Sequence, residues 1–78
     1  MWHVYIIRCN DGNLYVGSTT DIPRRVKEHN SKKGGSYTRV RTPVTLVHQE
    51  DHPDRTTAQK REAQIKGWTR AKKLALIK

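Results

Sequence analysis

Five residues of this chain have the types and spacing to do chemistry: Tyr5 in HVYII, Tyr15 in LYVGST, Arg25 and His29 in RRVKEH, and Glu62 in KREAQIK. Two tyrosines in neighbouring apolar runs either pack, with hydroxyls at the rim, or work as reactive phenols. Arg25 and His29 stand four residues apart, so on a helix they project together. Glu62 falls with Ala58 and Ile65 at i, i+4 and i+7, which sets a carboxylate inside a narrow apolar stripe, flanked by Lys60 and Arg61. Desolvating that carboxylate is expensive. Two accounts of it stay open: a structural salt bridge with an arginine such as Arg25, or an oxygen ligand for a hard divalent cation.

These residues need elements to hold them. WHVYII and LYVGS flank CNDGN, which predicts a β-hairpin over residues 2 to 18. A two-residue Asp11-Gly12 loop would put Tyr5 and Tyr15 on opposite faces. A three-residue loop of Asn10, Asp11 and Gly12, with Gly12 left-handed, instead pairs Cys9 with Asn13, Tyr5 with Gly17 and Tyr15 with Ile7. The second register segregates the side chains better and is the expected one. It gives a core face of Trp2, Val4, Ile6, Leu14 and Val16, and a site face of His3, Tyr5, Ile7, Tyr15 and Gly17, with the small Gly17 leaving room beside Tyr5.

Asp21 caps a helix beginning DIPRRVKEHN, with Pro23 tolerated in its first turn and Ile22 and Val26 facing the core. Residues 44 to 50, VTLVHQE, read as a third strand. Asp54 caps a helix over residues 55 to 66 that stops at Gly67, and a last helix spans about 69 to 77. The expected fold is α+β, a small three-stranded antiparallel sheet flanked by helices in the order β-β-α-β-α-α, forming a single domain over residues 1 to 78 with no accessory domain. A domain of this size buries only about 60% of the surface its unfolded chain exposes, so the core must be thin.

Charge narrows the partners. Sixteen Lys and Arg against seven Asp and Glu give +9 on 78 residues, with a pI near 10.2. Such a single-sign field favours a polyanion, and nucleic acid comes first. Lys32, Lys33, Arg39 and Arg41 surround Tyr37 in NSKKGGSYTRVRT, a candidate phosphate-tracking loop in which Tyr37 is the aromatic placed to stack on a base; a plain solvated linker is the competing reading. One cysteine, Cys9, excludes an internal disulfide and a zinc ribbon or finger, which fits a reducing cytoplasm. The longest apolar run, VYII, is far below the ~20 residues that span a bilayer, so no membrane partner is expected. His48 and His52, at a strand end and before Pro53, read as surface residues, and Trp2 and Trp68 as core or edge packing.

Taken together, Tyr5, Tyr15 and Gly17, Arg25, His29 and Glu62 resemble the GIY-YIG nuclease superfamily, in particular its small stand-alone bacterial members. The resemblance covers nearly the whole chain and includes the order of elements. It departs at the first motif, where His3 and Val4 stand in for the Gly and Ile that name the family, and His3 brings an imidazole to the site face.

The resemblance implies a metal-dependent endonuclease that hydrolyses phosphodiester bonds in DNA, in repair or recombination. Glu62 would hold a single Mg²⁺ or Mn²⁺ that also contacts the phosphate. Arg25 would bind the phosphoryl oxygens, and Tyr5 would take the proton from water with help from Tyr15 and His29. All five are expected on one shared face. Matching an ordinary phenol to pH 7 takes about three pKa units, or ~4 kcal/mol, part of which the surrounding positive charge is expected to supply. The partner would be DNA, including structured or branched DNA, with target choice coming from the core domain, self-association or another protein. The alternatives are a non-catalytic binding module for structured RNA or branched DNA, and an adaptor to a repair complex.

Overall fold

A computed structural model of the chain describes residues 1–31 and 42–77. Strands β1 (Trp2–Arg8) and β2 (Leu14–Thr19) form a hairpin, followed by helix α1 (Ile22–Asn30), strand β3 (Thr45–His52) and helices α2 (Arg55–Lys66) and α3 (Arg70–Ile77). The expected α+β fold and its β-β-α-β-α-α order are what the chain adopts. The strands lie in the order β2-β1-β3, both pairings antiparallel, so β1 is the central strand.

The hairpin takes the register that the three-residue loop dictates. Cys9 N–H donates to Asn13 O at 2.8 Å, Gly12 N–H donates to Cys9 O at 3.0 Å, and Gly12 has φ 88°. That left-handed backbone is where glycine is needed. Asp11 steadies the turn by accepting from Asn13 N at 3.0 Å. Tyr5 pairs with Gly17 and Ile7 with Tyr15, as the segregation of side chains predicts.

β3 runs two residues further than its apolar pattern predicts, to His52, and it carries a bulge. Ile6 pairs with His48 but Ile7 pairs with Leu46, leaving Val47 extra. A bulge of this kind bends its strand and shifts the alternation. Beyond it, Gln49 and Asp51 lie opposite Tyr5 and His3, while His48, Glu50 and His52 lie opposite Ile6, Val4 and Trp2.

Both faces of the sheet are covered. On one, Val4, Ile6 and Val16 pack with Ala58 and Ile65 of α2, and Trp2, Leu14, Val47, Trp68, Leu76 and Ile77 close the rim. On the other, Tyr5, Ile7 and Cys9 pack with Ile22 and Val44, flanked by Tyr15 and Val26. Burying each of these aliphatic side chains contributes roughly 1.5–3 kcal/mol. The face read from the sequence as a site face is therefore a second core, lying beneath α1, with the reactive side chains built into it.

Local signals set the helices. Asp21 accepts from Arg24 N at 3.1 Å to start α1, and Asp54 accepts from Thr57 N at 2.8 Å to start α2. Such caps stabilise by roughly 0.5–2 kcal/mol each. The C-terminal end of α1 is tied to the approach to β3: Asn30 Oδ1 accepts from Val44 N at 2.7 Å and Asn30 Nδ2 donates to Val44 O at 3.3 Å. Among the described residues no helix is long and apolar enough to cross a membrane.

Candidate active site

The site is built from the middle of β1 outward. Tyr5 is 1% exposed, on the central strand, and its ring lies over Gly17 of β2. A Cβ at residue 17 would stand 2.6 Å from Tyr5 Cζ and closer still to the hydroxyl. No real Cβ sits there, so Gly17 is the floor on which the phenol rests.

From α1, His29 reaches the same spot. It is wholly buried, and its Nε2 lies 3.0 Å from Tyr5 Oη. The Tyr15 ring meets the same imidazole edge-on at 5.4 Å between centroids, and the Tyr5 ring does so at 6.0 Å. The two tyrosines of adjacent strands thus converge on one histidine. Arg25, one helical turn before His29, stands beside the Tyr5 hydroxyl and also donates to Glu28 Oε1 at 3.3 Å.

Burial sets the charge states. It pushes the Tyr5 phenol above its ordinary 10.0, although Arg25 pulls the other way. It also holds the His29 imidazole below its ordinary 6.5, an effect that the Arg25 charge reinforces. At pH 7 the pair is a neutral phenol against a neutral imidazole. Arg25 supplies the expected downward pull on the phenol, but desolvation outweighs it.

Glu62 does not share that face. It lies on the α2 side of the sheet, where Ser18 Oγ–H donates to Oε1 at 2.7 Å and the Lys66 ammonium sits 2.7 Å from Oε2. Its salt bridge is therefore with Lys66, one turn along the same helix, and Arg25 is paired with Glu28 instead. The carboxylate is still near enough to Tyr5 for its charge to disfavour the phenolate. Because Ser18 belongs to the edge strand β2, the five residues wrap round the β2 edge, four on one side and Glu62 on the other.

Lys32, Lys33, Tyr37, Arg39 and Arg41 lie outside the described residues. Among the described residues no group of three or more His, Cys, Asp or Glu could hold a metal ion. The Glu62 carboxylate is the kind of oxygen donor that a hard divalent cation takes. Mg²⁺ keeps several waters and is commonly held by one or two carboxylates together with substrate phosphates. The Glu62 carboxylate is half-buried, carries one fixed hydroxyl donor, and already has a cation at its other oxygen in the Lys66 ammonium.

A polar cluster that the sequence reading missed lies across β3. Arg61 of α2 grips Glu50 bidentately, Nε to Oε1 at 2.9 Å and Nη2 to Oε2 at 3.0 Å. His48 Nε2 is 2.9 Å from Glu50 Oε2, and His52 Nε2 is 3.5 Å from Oε1. Arg61 chiefly, with His48, holds the Glu50 carboxyl at about 2. The two histidines are half-buried rather than surface residues, since the strand continues through both and the bulge turns them toward α2. The signal was their i, i+2, i+4 spacing with Glu50 on one strand face. Trp2 and Trp68 do pack on the core, and each also carries a cation: Arg55 over Trp2 at 5.8 Å, and Arg61 and Lys72 over Trp68 at 5.0 and 4.6 Å.

A three-stranded sheet with a tyrosine on each hairpin strand, an arginine and histidine on the following helix and a glutamate on the next defines a class of small α+β nuclease-type domain. The sequence matches the GIY-YIG catalytic domain over residues 1–75, and the chain belongs to that nuclease family. It is similar to a UPF0213 protein of Halobacterium salinarum, 54% identical over 99% of this chain and all of the relative. A UPF0213 protein of Streptococcus sanguinis is 50% identical over 97% of this chain and 87% of its own length. Among solved structures, the UPF0213 protein of Bacillus halodurans shares 44% identity with a TM-score of 0.63, covering 99% of this chain and 83% of that one. A protein of E. faecalis shares 42% with a TM-score of 0.61, covering 91% and 76%.

Proposed function

We propose that this chain is a metal-dependent endonuclease hydrolysing phosphodiester bonds in DNA, in repair or recombination. The observation that carries the reading is the buried pair of Tyr5 and His29, 3.0 Å apart, with Arg25 beside the phenol. A structural tyrosine does not require a glycine beneath its ring, a buried neutral imidazole at its oxygen and a guanidinium alongside.

Hydrolysis of a phosphodiester needs an activated water, positive charge at the phosphoryl oxygens and neutralisation at the leaving oxygen. Arg25 binds the phosphoryl oxygens through its planar fork. Tyr5, protonated in the resting protein, donates its hydrogen bond to His29 Nε2 in the tautomer with the ring proton on Nδ1. As water attacks, Tyr5 accepts the water proton while its own passes to His29. The phenol therefore never needs a free pKa near 7, because the imidazole, held neutral by burial, is the eventual base. Tyr15 meets the imidazole edge-on and helps keep it in place. Glu62 would hold a single Mg²⁺ or Mn²⁺, with Ser18 orienting the carboxylate. A bound cation there would supply Lewis-acid charge to the phosphate and the leaving oxygen.

The Glu62–Lys66 ion pair favours a second reading, in which the carboxylate is structural and the domain binds nucleic acid without cutting it. One experiment separates the two: a labelled panel of single-stranded, duplex, flapped and branched DNA with Mg²⁺ or Mn²⁺ against EDTA, using wild type and Glu62→Gln. Metal-dependent cleavage lost in a variant that still melts normally and still binds DNA supports the nuclease. A collapsed melt in the variant, or tight binding without cleavage by the wild type, supports the structural carboxylate.

A further inference from the structure

At the hairpin end of the sheet, a cavity of about 380 Å³ opens between the turn, the start of β3 and the start of α3. Arg8, the last residue of β1, and Arg70, the first residue of α3, both line it, together with Asn10, Gly12 and Thr45. Among the described residues that line it none is an acid, and none belongs to the Tyr5, His29 and Glu62 site.

Arg25 has Glu28 and Arg61 has Glu50; Arg8 and Arg70 are exposed and, like Arg24 and Arg55, make no ion pair among the described residues. Two like charges facing one concavity repel, and that repulsion is relieved only by an anion between them or by solvent. Guanidinium forks match the geometry of phosphate oxygens, and a pair of them can clamp one phosphate from two sides. Asn10 and Thr45 add polar wall, and the ends of β1 and α3 fix where the forks begin.

Its distance from Glu62 matters. Arg8 pairs with Leu14, and Ser18, which holds Glu62, pairs with Val4. Four strand residues separate the two pairs, roughly 13 Å at ~3.3 Å per residue. A phosphate held at Arg8 and Arg70 would therefore be a different one from the phosphate at Glu62.

We propose that the Arg8–Arg70 cavity binds a backbone phosphate of the nucleic-acid strand, apart from the phosphate at Glu62, and so anchors the strand in register. This rests on the nuclease reading for the meaning of that register. The phosphate chemistry itself stands without it, and free orthophosphate is its other source.

The test uses the full chain in EDTA, so that no cleavage intervenes. Arginine Nε–Hε resonances are followed by NMR as a 12-base-pair duplex, or orthophosphate alone, is added, and duplex affinity is measured against salt for wild type and the Arg8→Gln, Arg70→Gln double variant. The expected result is a shift of both arginine resonances with duplex, and a double variant whose log–log salt slope is shallower by about 0.9, the increment for one phosphate left unneutralised. The wild-type spectra carry the answer even if the variant folds poorly. Duplex binding that leaves both resonances and the slope unchanged overturns the site while leaving the nuclease reading intact. Orthophosphate shifting both resonances while duplex does not would overturn the backbone assignment. Duplex binding through both arginines, by a wild type that cuts nothing with either metal, would sink the nuclease reading and leave the phosphate site standing.

Discussion

Tyr5 is where stability and chemistry meet most closely. Its ring fills the second core, and its hydroxyl faces His29 over a glycine that has no tolerance for a side chain. Gly17→Ala must displace the ring, and a misplacement of about 1 Å costs on the order of 10²-fold in rate, with overpacking adding roughly 1–3 kcal/mol of instability. Cleavage assays beside thermal melts of the variant check both. Tyr5→Phe keeps the packing and deletes the proton path; a loss of about 10²- to 10⁴-fold in cleavage is expected, with DNA binding retained, and near-wild-type cleavage would remove Tyr5 from the mechanism. His29 adds a pH signature. Its folded pKa lies below the ordinary 6.5, so its contribution to stability is fully present above 6.5 and is lost as pH falls below it, and the protonated imidazole can no longer serve as base. Melting temperature and cleavage rate, followed from pH 7.5 downward, should decline together, and a His29→Gln variant should melt with less pH dependence. The sequence made these residues legible because types and spacings are local facts; it concealed the burial that reverses the expected shift of the phenol, since desolvation depends on α1 closing over the sheet.

At the scale of elements, the hairpin register, the helix caps and the chain order were all legible, because turn length, Asp21, Asp54 and the apolar runs act within a few residues. The bulge at Val47 was not. Nothing in VTLVHQEDH announces an extra residue, and without it His48, Glu50 and His52 cannot be assigned to the α2 face. The position of Glu62 was half legible: its apolar stripe correctly placed it against the sheet, but which side of the sheet α2 covers is a tertiary choice. The β3–α2 contact that results has its own test. Glu50 sits at about 2 against an ordinary 4.5, so its contribution is present above 4.5 and is lost as pH falls toward 2, a change on the order of 3 kcal/mol at 1.36 kcal/mol per unit. Urea unfolding at stepped pH should show that loss in wild type and a much flatter curve in Arg61→Gln; equal curves would mean that the bidentate pair does not hold the strand to the helix.

For the whole molecule, the charge of +9 predicts that a polyanion stabilises the fold. Duplex DNA in EDTA at 100 times its Kd adds about 2.7 kcal/mol, a rise in melting temperature on the order of 10 °C for a domain of this size, and the rise should vanish in high salt. A melting temperature indifferent to DNA would count against nucleic acid as the partner. The central placement of β1 also sets the order in which the site comes into being. The β1–β2 hairpin closes through a three-residue turn and brings Tyr5 over Gly17 on the timescale of microseconds, whereas Ser18 and Glu62 are 44 residues apart in the chain and meet only after the slower, non-local docking of α2. A nascent or partly folded chain therefore carries its tyrosines in place long before its carboxylate, so that a cutting centre dependent on both stays inert until the last helices have docked.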